Sequence, residues 1–271
     1  MKKKIRFNSY DGTNLVGIIS LPQLIDHAIL MVHGLPSDKD EWGFYKDMAD
    51  FLYERNVASF RFDIRYNGES QNGNISELTL SEMINDIESA YWALVKELKN
   101  DSTRISIVGT SCGGGITIKW YNTFNHYIEN IFLNAPVLDY EFEVTGEIRK
   151  NHNTYTQLSS TNINILSKKK VLNDDVGYGY SMINESHLFD IQNEFNQCTI
   201  PITIFHGNED TVVPLHLTES NIKGYNNIEL VVIDKANHGF AVAGDENLTY
   251  LETKENHYFV YQEIYKRIQH G

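Results

Sequence analysis

The sequence predicts an α/β fold in which a mainly parallel central sheet carries helices on both faces. Short apolar runs alternate along the chain with amphipathic segments, the pattern expected when helical crossovers connect parallel strands. The run at 27–34 (HAILMVHG) is almost continuously apolar, which is typical of a strand buried on both faces. The length of 271 residues favours one large domain with a small insertion over two equal domains.

Eight segments are predicted as strands, and the first two form a hairpin because an Asp-Gly pair joins them. The strand segments are 4–9, 14–22, 27–34, 57–63, 104–109, 128–136, 200–207 and 228–234. The predicted helices are 45–56, 79–100, the segments that follow Ser111 and Pro214, and 254–269. In helix 79–100 the apolar residues step by three and four, which places them on one face. Its start carries a capping-box pattern, Thr79 with Glu82.

One region interrupts the alternation of strands and helices. About 65 residues separate Pro136 from Pro201, whereas a crossover between parallel strands needs only a dozen or more. Long bare loops are uncommon in compact domains. We therefore expect residues 139–195 to form a small cap insertion after strand six, and residues 1–138 and 196–271 to form the core.

Composition excludes several classes of function. The formal net charge of −13 argues against binding to nucleic acid or to an anionic membrane surface. Two cysteines suit a reducing compartment, and no apolar run approaches the roughly 20 residues of a membrane span. No His, Cys or Glu spacing of the metal-site type occurs. We expect a soluble, cytoplasmic protein without a metal or another cofactor.

The stretch 108–115 (VGTSCGGG) predicts a nucleophile. Gly109 to Gly113 fit the pattern G-x-S-x-G, in which a serine occupies a sharp turn between a strand and a helix. The middle position of the pattern belongs to Ser111. Cys112 is the rival nucleophile, because a thiol in a first helical turn can have a lowered pKa. We expect its side chain to pack inward while its backbone N–H faces the reacting carbonyl.

A serine nucleophile needs a base and an orienting carboxylate. His238 follows the last predicted strand, and in the chain order Ser, acid, His the base comes last. Asp210, in a loop after the preceding strand, is the favoured acid, with Asp139 and Glu209 as alternatives. Two backbone N–H groups must stabilise the oxyanion. Cys112 is one expected donor, and Leu35, after the third strand, is the other.

Together these segments resemble the α/β-hydrolase superfamily, and within it the cinnamoyl/feruloyl esterase, monoacylglycerol lipase and serine aminopeptidase-like group. The matching segments are VHGLPSDKDEW, FRFDIRYNGES, GTSCGG, HGNEDTVVP and NHGF. The order of these segments is specific for the fold. Two departures occur in the second segment, where the family's usual glycine and histidine are Tyr66 and Asn67. They affect the expected shape of one wall of the pocket, not the triad.

The resemblance implies a serine hydrolase that cleaves a carboxylic ester of a small-molecule acyl substrate through a seryl acyl-enzyme. A thioesterase or acyltransferase acting on a carrier-bound or specialised metabolite is the first alternative. A non-catalytic ligand receptor on a hydrolase fold is the alternative from another class. The candidate substrate contacts are His33 and three tyrosines of the insertion, Tyr155, Tyr178 and Tyr180. A homodimer is compatible with this interpretation.

Overall fold

The computed structural model describes residues 1–71, 73–99, 102–141 and 179–270, without the side chains of Tyr180 and His270. The strands are β1 (Lys2–Asn8), β2 (Asn14–Ser20), β3 (His27–Val32), β4 (Val57–Asp63), β5 (Arg104–Thr110), β6 (Ile131–Asn134), β7 (Ile202–Gly207) and β8 (Ile228–Ile233). The helices are α1 (Phe44–Tyr53), α2 (Leu80–Leu98), α3 (Cys112–Phe124), α4 (Tyr180–Ser186), α5 (Ile191–Gln197), α6 (Leu215–Ile222) and α7 (Leu251–His270). All eight predicted strands are therefore confirmed.

The eight strands form one sheet in the order β1-β2-β4-β3-β5-β6-β7-β8. β1 and β2 pair antiparallel, and β2 pairs antiparallel with β4. From β4 to β8 all neighbours are parallel. The carboxyl ends of β3, β5 and β7 consequently lie at one edge, where open α/β sheets bind their ligands.

Each face of the sheet carries its own hydrophobic core. Side chains alternate along β3, so that Ile29 and Met31 pack on one face while Leu30 and Val32 pack on the other. The first face is covered by α1 and α7, and the second by α2, α3 and α5. This arrangement confirms the predicted α/β-hydrolase architecture.

The helix ends follow local chemistry. The predicted capping box of α2 is present, because Thr79 accepts the Glu82 N–H and Glu82 accepts the Thr79 N–H. The C-terminal helix begins at Leu251 rather than at Lys254, because Asp245 accepts the N–H groups of Thr249 and Tyr250 just before it. None of the described helices is long and apolar enough to cross a membrane.

The end of the predicted cap insertion packs on the core. Ile183, Ile191 and Phe195 are buried in the same cluster as α2 and α3. The Lys119 ammonium group of α3 also binds Glu194, at 2.7 Å. Tyr155 and Tyr178 lie outside the described residues, and Tyr180 begins α4. The cap therefore stays a prediction.

Candidate active site

Ser111 occupies the turn between β5 and α3 in a strained conformation. Its backbone angles are φ 51° and ψ −122°, a region that side-chain-bearing residues rarely adopt. Hydrogen bonds hold the turn on both sides: Ser111 N–H donates to the Asn134 carbonyl, and the Ser111 carbonyl accepts the N–H groups of Gly114 and Val137, all at 2.9 Å. The turn thus lifts the Ser111 side chain out of the strand at the carboxyl edge of the sheet.

The glycines of this corner permit close approach. A Cβ atom added to Gly113 would lie 2.5 Å from the His33 carbonyl oxygen, and one added to Gly109 would lie 2.6 Å from the Gly113 carbonyl oxygen. Both distances are shorter than real Cβ contacts. The missing side chain of Gly113 lets the loop after β3 pack against the start of α3, and that of Gly109 lets the end of β5 pack against α3.

His238 and Asp210 meet at the same edge, from the loops that follow β8 and β7. His238 Nδ1 lies 2.7 Å from Asp210 Oδ2. The second carboxylate oxygen, Oδ1, accepts the N–H groups of Val212 and Val213 at 2.8 and 2.9 Å. Burial alone would raise the pKa of Asp210, but hydrogen bonds from His206 and His238 and the charge of His238 lower it to about 2. Asp210 is therefore ionised at neutral pH.

His206 is a neighbour of Asp210 that sequence analysis did not place in the site. Its Nε2 atom donates to the Val213 carbonyl at 2.8 Å and lies 3.2 Å from Asp210 Oδ2. The His206 ring is fully buried, and it contacts the Asp210 carboxylate from the protein interior. The sequence could have indicated this contact, since His206 lies at the end of β7, four residues before Asp210.

The loop after β3 is fixed by the imidazole of His33. The Ile64 N–H donates to His33 Nε2 at 3.0 Å, so Nε2 carries no proton. His33 Nδ1 must then be the protonated atom, and it donates to the Gly34 carbonyl at 2.6 Å. Burial lowers the pKa of His33, which agrees with a neutral ring.

The described geometry does not support the expected role of His33 as a substrate contact, which stays a prediction. Both ring nitrogens are occupied by backbone groups, the side chain is fully buried, and it does not line the catalytic cavity. The position of His33 indicates a different role for this residue. The Gly34 carbonyl and the Leu35 N–H belong to one peptide unit, so His33 sets the direction of the Leu35 N–H.

Charged residues hold this loop from outside. Arg61 of β4 donates from Nε to Asp40 Oδ1 at 2.7 Å. Asp63 accepts both the backbone N–H of Lys39, at 2.7 Å, and its ammonium group, at 3.1 Å. Arg65 instead binds Asp86 of α2. Residues 61–65 thus connect the loop to the sheet and the sheet to α2.

A cavity of about 390 Å³ joins these parts. Ser111 and His238 line it together with Gly34 and Leu35, and the Leu35 N–H donates to no group among the described residues. Further lining residues, which sequence analysis did not assign to a pocket, are Glu41, Trp42, Phe44, Phe240, Asp245, Glu246 and His257. Trp42 is 76% exposed and stands at the mouth. None of the described lining residues is lysine or arginine.

The remaining sequence-predicted residues fall as follows. Cys112 is buried in the hydrophobic core and does not line the cavity, in agreement with an inward-packing side chain at the start of α3. Asp139 is exposed and lies beside α6 in a separate pocket of about 20 Å³. Glu209 is exposed, so the carboxylate that pairs with His238 is Asp210.

The departures at Tyr66 and Asn67 do not shape the described cavity. Tyr66 has φ 66°, a left-handed conformation that glycine adopts without steric cost. Its hydroxyl donates to Glu82 of α2 at 3.4 Å, and Asn67 donates to the Arg65 carbonyl at 2.9 Å. Neither residue is among those that line the cavity, so the expected wall lies elsewhere.

The fold and the strand-turn-helix placement of Ser111 define an α/β hydrolase. The chain belongs to the family described as serine aminopeptidase, S33, whose sequence profile matches residues 24–176. The protein is accordingly an enzyme of the α/β-hydrolase class. No curated protein matches the chain in sequence.

Solved structures share the fold over nearly the whole chain. Est1E from Butyrivibrio proteoclasticus, solved with ferulic acid bound, is 20% identical with a TM-score of 0.72, over 96% of this chain and 99% of that one. An esterase of Pyrococcus furiosus is 18% identical with a TM-score of 0.69, over 98% and 91%. An esterase of Exiguobacterium antarcticum is 17% identical with a TM-score of 0.65, over 97% and 98%. At these identities the likeness concerns the fold.

Proposed function

We propose that this protein hydrolyses carboxylic esters through a seryl acyl-enzyme. The observation that carries the proposal is the convergence of the strained Ser111 turn and the His238–Asp210 pair on one cavity. A nucleophile, a base and an orienting carboxylate are the parts that acyl transfer requires. The esterases among the structurally similar proteins support the choice of an ester as substrate.

In the first half-reaction Ser111 Oγ attacks the ester carbonyl carbon while His238 Nε2 takes the hydroxyl proton. The new bond pushes the carbonyl electron pair onto oxygen, where the N–H groups of Leu35 and Cys112 stabilise the negative charge. Asp210, ionised and hydrogen-bonded to Nδ1, stabilises the imidazolium that forms. The oxyanion then collapses, the ester C–O bond breaks, and His238 returns the proton to the departing alcohol.

In the second half-reaction water attacks the acyl-serine. His238 takes a proton from the water as the new C–O bond forms, and the same two N–H groups hold the second oxyanion. Collapse breaks the bond to Ser111 Oγ, which receives the proton from His238. The products are a carboxylic acid and an alcohol, with the enzyme regenerated.

The cavity wall favours a substrate without negative charge. Glu41, Asp245 and Glu246 contribute carboxyl groups to it, and no described lysine or arginine opposes them. Trp42 and Phe240 add aromatic surface, which binds apolar or aromatic groups. We therefore assign a neutral ester with an apolar or aromatic substituent as the substrate class.

The proposal is tested by labelling with a fluorophosphonate and by turnover of p-nitrophenyl esters of graded chain length. Ser111→Ala should lose the label and should lower kcat by about 10⁴–10⁶, the typical cost of removing a triad member. Cys112→Ala should stay close to wild type, since its proposed contribution is a backbone N–H. Wild-type turnover by Ser111→Ala, with loss in Cys112→Ala, would make the thiol the nucleophile.

The same assay tests the substrate class. The ethyl ester of butyric acid and the monoethyl ester of succinic acid differ mainly by one carboxylate at neutral pH. We expect kcat/KM for the charged ester to be lower by at least about tenfold, which corresponds to roughly 1.4 kcal/mol. Equal values for the two esters would contradict an acidic wall.

A further inference from the structure

Gly34, whose carbonyl shares a peptide unit with the Leu35 N–H, is held on both sides by hydrogen bonds. His33 Nδ1 binds the Gly34 carbonyl at 2.6 Å, which orients the Leu35 N–H of the same peptide unit. On the other side of the residue, the Gly34 N–H donates to Glu41 Oε2 at 2.7 Å. The Glu41 carboxylate thus joins the end of the loop to Gly34 near its start, seven residues earlier in the chain.

A strained turn brings Glu41 into this position. Glu41, Trp42 and Gly43 have φ values of 45°, 55° and 98°. A left-handed conformation costs about 1–2 kcal/mol for each residue with a Cβ atom. The Asp40 carbonyl accepts the N–H groups of Gly43 and Tyr45 at 2.9 and 3.1 Å, which holds the turn in place.

The same loop touches the nucleophile. A Cβ atom added to Gly34 would lie only 2.9 Å from Ser111 Cβ, so the Gly34 backbone packs directly against Ser111. Glu41 lines the cavity with both residues. A shift of this loop would therefore move the Leu35 N–H relative to the carbonyl that Ser111 attacks.

We propose that Glu41 is a positioning residue for catalysis, whose carboxyl oxygen holds the Gly34 N–H and thereby keeps the Leu35 N–H directed at the oxyanion. The inference rests on the proposed serine hydrolase function and adds a residue to it. Glu41 acts through the loop and does not exchange a proton with the substrate. Its hydrogen-bond acceptor, and not its charge, is the property that matters.

The surroundings of Glu41 agree with a role for its acceptor oxygen that does not depend on its charge. Burial raises the pKa of Glu41 to about 7, although the Gly34 N–H and the charge of His238 oppose the rise. Both the protonated and the ionised carboxyl group therefore occur near neutral pH. Each form keeps an oxygen that can accept the Gly34 N–H.

The test compares two replacements of similar size. Glu41→Gln keeps an acceptor oxygen and removes the charge, whereas Glu41→Met removes both. We expect Glu41→Met to lower kcat by about 10–100-fold, since a misplacement of about 1 Å in an active site can cost 10²-fold, while KM changes less than about threefold. Glu41→Gln should keep kcat within about threefold of wild type, as should the matched surface control Glu209→Gln.

Spectroscopy reads the contact without any turnover. Only four glycines follow a histidine in the sequence, namely Gly34, Gly207, Gly239 and Gly271. Labelling with ¹³C-carbonyl histidine and ¹⁵N-glycine therefore reduces the amide spectrum to four signals. The Gly34 amide proton should move upfield in Glu41→Met, where its acceptor is lost, and should keep its position in Glu41→Gln.

Each outcome has a separate meaning. An unmoved Gly34 signal in Glu41→Met, or a kcat of Glu41→Gln as low as that of Glu41→Met, overturns the proposal. Equal thermal stability of the two variants excludes a general loss of folding as the cause of the rate difference. If wild type neither reacts with a fluorophosphonate nor hydrolyses esters, the proposed function fails, even where the Gly34 signal confirms the contact.

Discussion

Two carboxyl groups flank the candidate site, and the protein shifts their pKa values in opposite directions. Asp210, in the loop after β7, accepts two backbone N–H groups and faces two histidines, which lower its pKa to about 2. Glu41, in the loop after β3, accepts one backbone N–H, and burial raises its pKa to about 7. At Asp210 hydrogen bonds and the charge of His238 outweigh burial, whereas at Glu41 burial outweighs the hydrogen bonds that the group accepts.

The difference separates two tasks. Asp210 must stay ionised while His238 gains a proton, and an environment rich in donors guarantees this. A second permanent charge close to the developing oxyanion would oppose it, so a carboxyl group with few donors is better suited to the loop beside Leu35. The two regions therefore combine one electrostatic carboxylate with one that serves as an acceptor.

The variant with the largest expected effect on this comparison is Asp210→Asn. A neutral amide at this position can favour the wrong imidazole tautomer, and we expect kcat to fall by roughly 10⁴. The loss should exceed that of Glu41→Met at least tenfold in kcat measured with the same p-nitrophenyl ester. Equal losses would mean that the two carboxyl groups do not differ in the way described.

Two matched controls accompany this prediction. Asp139→Asn and Glu209→Gln each remove an exposed carboxylate near the carboxyl edge of the sheet. We expect both variants to keep kcat within about threefold, because His238 pairs with Asp210 and not with either of them. A loss at Asp139 comparable to that at Asp210 would move the acid to the end of β6.

The sequence was sufficient to place Asp210 and His238 at one edge of the sheet, although it did not place His206 beside Asp210. The buried strands, the G-x-S-x-G turn and the order Ser111, Asp210, His238 are local patterns whose physical requirements are visible in single segments. The pairing of β7 with β8 then brings the two loops together. The amphipathic pattern and capping box of α2 were predictable for the same reason.

The opposite side depended on contacts between segments that no local pattern reveals. Glu41 reaches Gly34 through three successive positive φ angles, and two of the three residues are not glycine. His33 was expected to contact the substrate, whereas its ring is occupied by the Ile64 and Gly34 backbone. Hydrogen bonds that depend on the folded shape of the loop after β3 decided both cases.

Smaller effects should appear in the pH dependence of folding stability. The folded-state pKa of Asp210 lies below the ordinary value of 3.8, so its stabilising effect is complete above about pH 4 and is lost as the pH falls towards 2. Between these values the free energy of unfolding of wild type should fall by about 2 kcal/mol more than that of Asp210→Asn. Urea titrations across this range measure the difference, and parallel profiles would contradict the low pKa.

Glu41 should show the opposite sign. Its pKa rises from the ordinary 4.5 to about 7 in the folded protein, so the protonated form is favoured by folding. The stability that this group contributes is complete below about pH 4.5 and is lost as the pH rises through 7. Wild type should therefore lose stability relative to Glu41→Gln over this interval.

The expected size is on the order of 1 kcal/mol, because the side chain is only half-buried and solvent screens part of the effect. Buried His27, whose pKa burial lowers from the ordinary 6.5 to about 4, also makes stability depend on pH within part of this interval. It is present in both proteins, so its contribution cancels from the difference. Urea titrations of wild type and Glu41→Gln at pH 4.5 and 8 provide the measurement. A difference that stays constant with pH would show that Glu41 is ionised like an ordinary surface residue, and the contrast with Asp210 would then disappear.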